Sequence, residues 1–465
     1  MTLFSNTTDE AIDKAKKQFT ITGDTSKNEL DFSKISSFDK LETFPPVDVG
    51  LNAIARGEVA LMVLSGGQGT RLGIPHAKGV IDLKLNLTPG FDSTLSIFAK
   101  RLHGLQAWCK DALNLKETPQ ISLIIMTSSH TNQEIKDFVN DHILGEKILK
   151  PSQIVIEEQL NIPCLDLNGE VIKKSPTEVQ LSPDGNGGFL ECLKKCDGFL
   201  KEKNIKYLHV IAVDNCLSKV CDPVAIGSMI DTKADVLNKV VKRRSPTESC
   251  GVMVKINNDD GSYVSKIIEY SEMPKELGQA ILENGELKFE YANICSHYFN
   301  VEWLRGLYGK NVELPYHRAL KKIPYYDDEE KKIIEVSKPN GIKLEKFIFD
   351  VFDFARKVVM YEVPRCQEFA PIKNADSTGV DCIKTSKEAL SDLVKLWMER
   401  NGLKDIYLKW LEKHNLNMFF LDPRLTYDGE GKIFKVLKEV FEKDATEPNQ
   451  LNYQFLSSLL YTNNF

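Results

Sequence analysis

Nowhere in the 465 residues do about 18 uncharged apolar residues run together, so the sequence offers no helix able to span a bilayer. The opening residues MTLFSNTTDEAIDKAKKQF also lack a cationic-then-apolar signal pattern, and the expectation is a soluble, unexported, cytoplasmic protein with no membrane partner. Positive charge is not in excess. Lys and Arg number 60 against 66 Asp and Glu, a net charge of -6, which argues against general adhesion to nucleic acid or anionic lipid. Any phosphate ligand must therefore be gripped locally. Cysteines are present but unpatterned: of ten, the closest pair, Cys192 and Cys196, has no second cluster at zinc-like spacing. Reduced thiols are expected rather than disulfides or a zinc site. No internal repeat is visible, and the length exceeds what one hydrophobic core usually serves.

What is there is organised in three stretches. Residues 1–50 are polar, end in Phe44-Pro45-Pro46-Val47-Asp48, and read as a helical or extended N-terminal arm. From Val59 short apolar runs recur, at 59–65, 121–129 and 207–213, as in strands buried on both faces. Helical patterns lie between them. Ser93 is placed to cap a helix whose Leu95, Phe98, Leu102 and Leu105 share one face. Strands alternating with helices predict an α/β fold with a doubly wound, mostly parallel sheet, whose ligands sit beyond the carboxyl ends of the strands.

Between 250 and 300 the strands crowd together, which predicts antiparallel additions. Around 343–358 the spacing of Phe347, Val351, Phe352 and Ala355 predicts a helical face. Residues 51–385 are read as the central catalytic domain and 386–465 as a small C-terminal domain. The latter carries the amphipathic periods of Leu390, Leu393, Val394 and Trp397, then Phe434, Leu437 and Phe441.

The most informative segment is Leu64-Ser65-Gly66-Gly67-Gln68-Gly69-Thr70-Arg71-Leu72-Gly73, which follows a strand and offers unobstructed amides to a polyphosphate. It is not a P-loop, since no Gly-Lys-Ser/Thr follows at the required spacing. Nor does Gly67, Gly69, Gly73 make the dinucleotide fingerprint, because the last gap is one residue too long. Taken with Lys78-Gly79, however, GGQGTRLG resembles the signature of the eukaryotic UDP-N-acetylhexosamine (UDP-GlcNAc) pyrophosphorylases. Further blocks resemble that family in order: Pro183 to Gly188, Val213-Asp214-Asn215, Cys250-Gly251-Val252, Glu269 to Glu272, Asn293 to His297, and Pro371 to Asn374. Gln68 and the Asp184-Gly185-Asn186-Gly187-Gly188 block favour the acetamido-sugar branch over the glucose 1-phosphate enzymes. At Ala77 the chain departs from the family, which usually carries proline there.

The resemblance implies a Rossmann-like fold of nucleotidyltransferase type. It also implies a reaction in which the uridylyl group of UTP passes to N-acetylglucosamine 1-phosphate, giving UDP-GlcNAc and pyrophosphate, with Mg²⁺ as cofactor. Leu64 and the amides of Gly66, Gly67, Gln68 and Gly69 would cradle the nucleotide, with Arg71, Lys78 and Lys373 as the catalytic cations and Lys343 a further phosphate contact. Gln159 and Gly185 would read the uracil, although a glutamine at 159 also suits a solvated surface. Asn186, Gly251, Glu269 and Asn293 would form the sugar side. Asp214 would hold the metal; a helix N-cap suits the same position. Asp350 and Asp353 are candidates for a second carboxylate. His297, between strand aromatics, reads as structural. The charge run 327–332 reads as solvated surface.

Overall fold

The computed structural model describes residues 4–23, 30–85, 87, 92–444 and 448–462. Ten strands form its main sheet: β1 (Ile35–Ser37), β2 (Val59–Leu64), β3 (Ser122–Thr127), β4 (Ile154–Glu158), β5 (Tyr207–Ala212), β6 (Val236–Lys242), β7 (Val252–Asn257), β8 (Tyr263–Ile268), β9 (Tyr291–Asn300) and β10 (Val358–Glu362). The order is β1-β7-β9-β5-β2-β3-β4, with β6 pairing both β9 and β10, and β8 pairing β7. Strands β5, β2, β3 and β4 run parallel. Direction reverses at β9, which pairs antiparallel with β5, β6 and β7. The crowded strands between 250 and 300 are thus the antiparallel half of one continuous sheet.

Strand β2 shows why its sequence carries no polar alternation. Val59, Leu61 and Val63 face one apolar cluster together with Leu95, Phe98 and Leu102. Ala60, Met62 and Leu64 face a second, with Phe189, Leu193 and Leu208. Both faces are covered by other elements, the arrangement a parallel sheet requires. Residues 9–23 enter neither cluster. Helix α1 (Asp9–Gly23) instead sets Ala15 and Phe19 against a three-stranded sheet of Leu165–Asp166, His317–Lys321 and Gly341–Glu345. Helices α2 (Val47–Ala55) and α3 (Thr94–Ala112) lie on the main sheet. The Ser93 hydroxyl accepts from Ser96 N at 3.2 Å, capping α3, and Leu95, Phe98, Leu102 and Leu105 are all fully buried.

Next along the chain is the short α4 (Asn132–Phe138), beside the end of β2. At the C-terminal end, α5 (Ile383–Arg400) spans the expected boundary at 385. Its Leu393, Val394 and Trp397, with Phe434, Leu437 and Phe441 of α6 (Ile433–Lys443), enter the same apolar cluster as α3. The terminal helices therefore thicken the central core. The helical face expected around 343–358 is met only in part, and by a 3₁₀ helix. Gly341–Glu345 is drawn into the three-stranded sheet, and Ile348–Phe354 follows as a tight 3₁₀ turn burying Ile348, Phe349, Val351 and Phe352. Pairing with His317–Lys321 removes the residues that would have started a longer helix.

Candidate active site

The loop after β2 is held from below by the end of β3. Ser65 N–H donates to Met126 O at 2.8 Å, Thr131 Oγ1 to Ser65 O at 3.1 Å, and Ser128 Oγ to Gly66 O at 2.8 Å. The chain then folds back on itself. Gly69 N–H donates to His76 O at 2.8 Å and Lys78 N–H to Gly67 O at 3.1 Å. This corrects one expectation: the Gly69 amide is already used inside the loop, so a phosphate cradle narrows to Gly66, Gly67 and Gln68, of which the last two are exposed. Leu64 is the buried end of β2 beneath them. Arg71 stands exposed on the turn Thr70–Leu72, with no ion-pair partner among the described residues.

Lys78 and Asp214 meet. The Lys78 ammonium lies 3.6 Å from Asp214 Oδ2 and 3.5 Å from Ile372 O, and both side chains are about one-fifth exposed. Asp214 comes two residues after β5, and the next helix begins only at Pro223, capped by Asp222, so the N-cap alternative for Asp214 falls away. Its carbonyl accepts from Ile372 N–H at 2.8 Å. Asn215, 1% exposed, staples the same two segments: Nδ2 donates to Glu368 O at 2.7 Å and Oδ1 accepts from Ala370 N at 2.9 Å. Lys373 is thereby carried to the Asp214 corner, where its charge is felt by the thiols of Cys250 and Cys295 and by Glu269.

Asp214 is a hard oxygen donor beside the Lys78 ammonium, and such a carboxylate suits Mg²⁺ whose shell is completed by phosphate oxygens and water. The two candidate partners do not join it. Asp350 pairs with His317 Nε2 at 2.8 Å and Asp353 with Lys266 at 2.9 Å. Among the described residues no group of three His, Cys, Asp or Glu could hold a metal by itself.

Gln159 is not a solvated residue: it is 5% exposed. Its Nε2 donates to Gly185 O at 3.0 Å and to Asp184 Oδ1 at 3.2 Å, while a Cβ on Gly66 would lie 2.4 Å from its Oε1. One amide thus ties Gln159 to the 184–185 turn, and a side chain at 66 would require it to shift. Gly185 has φ +88°, and a Cβ there would fall 2.4 Å from Lys346 O, so only glycine fits that turn. Asp184, fully buried, has its carboxyl pushed up by burial and pulled back by Lys346 at 3.7 Å.

On the antiparallel half, Asn293 N–H donates to Gly251 O at 2.8 Å, and a Cβ on Gly251 would lie 2.9 Å from Glu269 Oε1. These three form one wall. Burial, then the charge of Glu272, raises the Glu269 carboxyl, while Lys373 and His317 lower it. Asn186 reaches the adjoining segment, its Oδ1 accepting from Ile348 N at 2.9 Å. Tyr270 is exposed. Lys343 stands apart: it pairs with Ala319 on the three-stranded sheet, its charge is felt by Cys164, and no hydrogen bond or ion pair among the described residues joins it to Arg71, Lys78, Asp214 or Lys373.

His297 is fully buried beside Phe299 and Phe352, and burial holds its pKa down at about 3. Neither ring nitrogen has a partner, which keeps it out of proton transfer. The opposite histidine was not singled out from the sequence. Burial alone would lower His317, but hydrogen bonds to Asp350 and Glu272 raise it to about 9. Asn215 and Asp184 were also missed, although each is a neighbour of a residue that was chosen. All ten cysteines are free.

The family model described as UTP–glucose-1-phosphate uridylyltransferase matches residues 1–408. The UDP-N-acetylhexosamine pyrophosphorylase-like protein 1 of Xenopus tropicalis is 36% identical over 397 residues, 82% of this chain and 75% of that protein. The UDP-N-acetylglucosamine pyrophosphorylase of Saccharomyces cerevisiae is 37% identical over 410 residues, 85% and 80% of the two chains. Among solved structures, the uridine diphosphate N-acetylglucosamine pyrophosphorylase of Trypanosoma brucei in complex with inhibitor superimposes with a TM-score of 0.75 at 25% identity, covering 94% of this chain and 88% of that one.

Proposed function

Because the chain belongs to the UTP–glucose-1-phosphate uridylyltransferase family, we propose that it acts as a UDP-N-acetylglucosamine pyrophosphorylase. UTP and N-acetylglucosamine 1-phosphate give UDP-GlcNAc and pyrophosphate. A phosphate oxygen of the sugar phosphate attacks the α-phosphorus of UTP, the bond from that phosphorus to the bridging oxygen breaks, and pyrophosphate leaves. No covalent protein intermediate is needed, so positioning and charge neutralisation carry the catalysis.

The observation that carries this reading is the meeting of Lys78 and Asp214, 3.6 Å apart, in the loops that follow two adjacent parallel strands, with Lys373 brought in by the segment bonded to Asp214. Arg71 and Lys78 neutralise the phosphates, and Lys373 bridges toward the sugar phosphate. The amides of Gly66, Gly67 and Gln68 receive phosphate oxygens over the floor formed by Leu64. Gln159 and Gly185 line the uracil end. Gly251, Glu269, Asn293 and Asn186 line the sugar end, where amides and a carboxylate suit hydroxyl and acetamido groups. Asp214 would hold Mg²⁺, which when bound neutralises charge on the polyphosphate. Lys343, away from these residues, has the weakest claim to a phosphate.

No helix among the described residues is long and apolar enough to cross a membrane, and a cytoplasmic site of action agrees with that. The test is pyrophosphate release by purified protein given UTP, Mg²⁺ and N-acetylglucosamine 1-phosphate. Release at background level would end the enzyme reading. Faster turnover with glucose 1-phosphate than with the acetamido sugar would move the substrate to the glucose branch.

A further inference from the structure

Lys78 must hold its ammonium at one corner, yet its backbone lies in a stretch fastened from outside the loop. Both oxygens of Glu134, on α4, grip the two residues immediately before it. Oε1 lies 2.6 Å from His76 Nδ1, and Oε2 accepts from Ala77 N–H at 2.8 Å. Ala77 sits at φ -60°, ψ 133° and is 1% exposed. The neighbouring bonds from Gly69 N–H to His76 O and from Lys78 N–H to Gly67 O close the loop without using the Ala77 amide, which is left to the carboxylate.

The Ala77 methyl is packed in the main apolar core, while the His76 side of the turn is open. A cavity of about 430 Å³ opens there, lined by Ile74, His76, Val80, Ile81, Glu134 and Phe138 among others. The two bonds to Glu134 act together with the packing of Ala77 in fixing the direction in which the chain enters Lys78. A bond to an ionised carboxylate is stronger than one between neutral groups, so this clamp is the stiffest available at that point.

We infer that Glu134 is a positioning residue for the reaction: it holds the backbone at 76–77 so that Lys78 presents its ammonium toward Asp214 and the nucleotide phosphates. This deepens the reading of the site as a uridylyltransferase and rests on it. Glu134 itself touches no reacting atom.

Two readouts separate the clamp from the activity. In the full-length protein, Glu134→Ala should speed hydrogen exchange at the Gly69 and Lys78 amides and leave β5 unchanged. It should lower kcat/KM for UTP about tenfold, the weight of one charge-assisted hydrogen bond. Glu134→Gln, whose side-chain oxygen still accepts from Ala77 N–H, should lose less. Proline fixes φ near the value Ala77 already has, so adding Ala77→Pro to Glu134→Ala should restore both slow exchange and most of the rate. Wild-type exchange at 69 and 78 in Glu134→Ala overturns the inference. So does faster exchange with no change in rate, or a double variant no better than Glu134→Ala. If the wild-type protein releases no pyrophosphate, the functional reading fails, while the exchange data still decide whether the clamp exists.

Discussion

The two halves of the main sheet handle different chemistry with different means. At the end of the parallel half, β2 and β5 are buried on both faces; the loop after β2 exposes Arg71, Gly67 and Gln68 and carries a half-buried Lys78, and the loop after β5 carries Asp214. In the antiparallel half the corresponding wall is made of Gly251, Glu269 and Asn293, with one carboxylate and no cation of its own. Lys373 reaches from one to the other on a segment pinned by Asn215. Under the proposed function the contrast is a division of labour: cations and amides suit a phosphate, which needs fixed donors, while amides and a carboxylate suit the hydroxyl groups of a neutral sugar.

Removing charge from the parallel side should break the contrast most. Arg71→Ala and Asp214→Ala should each lower the rate of pyrophosphate release about a hundredfold, as loss of a preorganised charge in a transition state does. Turnover near wild type in either variant would take that residue out of the mechanism. Next is the pin between the halves. Asn215→Ala leaves two buried backbone groups without partners and should cost about 2 kcal/mol of stability by denaturant unfolding, with kcat falling and the KM for UTP little changed.

On the antiparallel side, Glu269→Gln should raise the KM for N-acetylglucosamine 1-phosphate about tenfold and leave the KM for UTP near its original value. An equal rise in both would erase the division of labour. A gentler probe is His317, raised to about 9 by Asp350 and Glu272. Since its unfolded value is about 6.5, its contribution to stability is complete below that pH and is lost as pH rises through the folded value. Melting temperature should therefore fall more between pH 6.5 and 9.5 in the wild type than in His317→Gln. The smallest effect belongs to Lys343→Ala, expected to change the rate less than about threefold because its charge lies on the three-stranded sheet.

What the amino-acid sequence determined was local and periodic. Apolar runs without polar alternation announced strands covered on both sides, Ser93 announced the start of α3, and GGQGTRLG announced a glycine-rich loop after β2. These signals are carried by residues adjacent in the chain, so no distant partner was needed to read them. Asp214 and Lys373 were picked out by resemblance, yet nothing in their spacing said they would share a corner. That was decided by Asn215 and by the pairing of Asn215 with Pro371. The 343–358 stretch forms only the 3₁₀ helix Ile348–Phe354, because the residues up to Glu345 pair with His317–Lys321. Glu134 and His317 were invisible for the same reason: each acquires its role only from groups that folding places beside it. Hydrogen bonds and charge interactions act over a few ångströms in space, and sequence distance does not measure that.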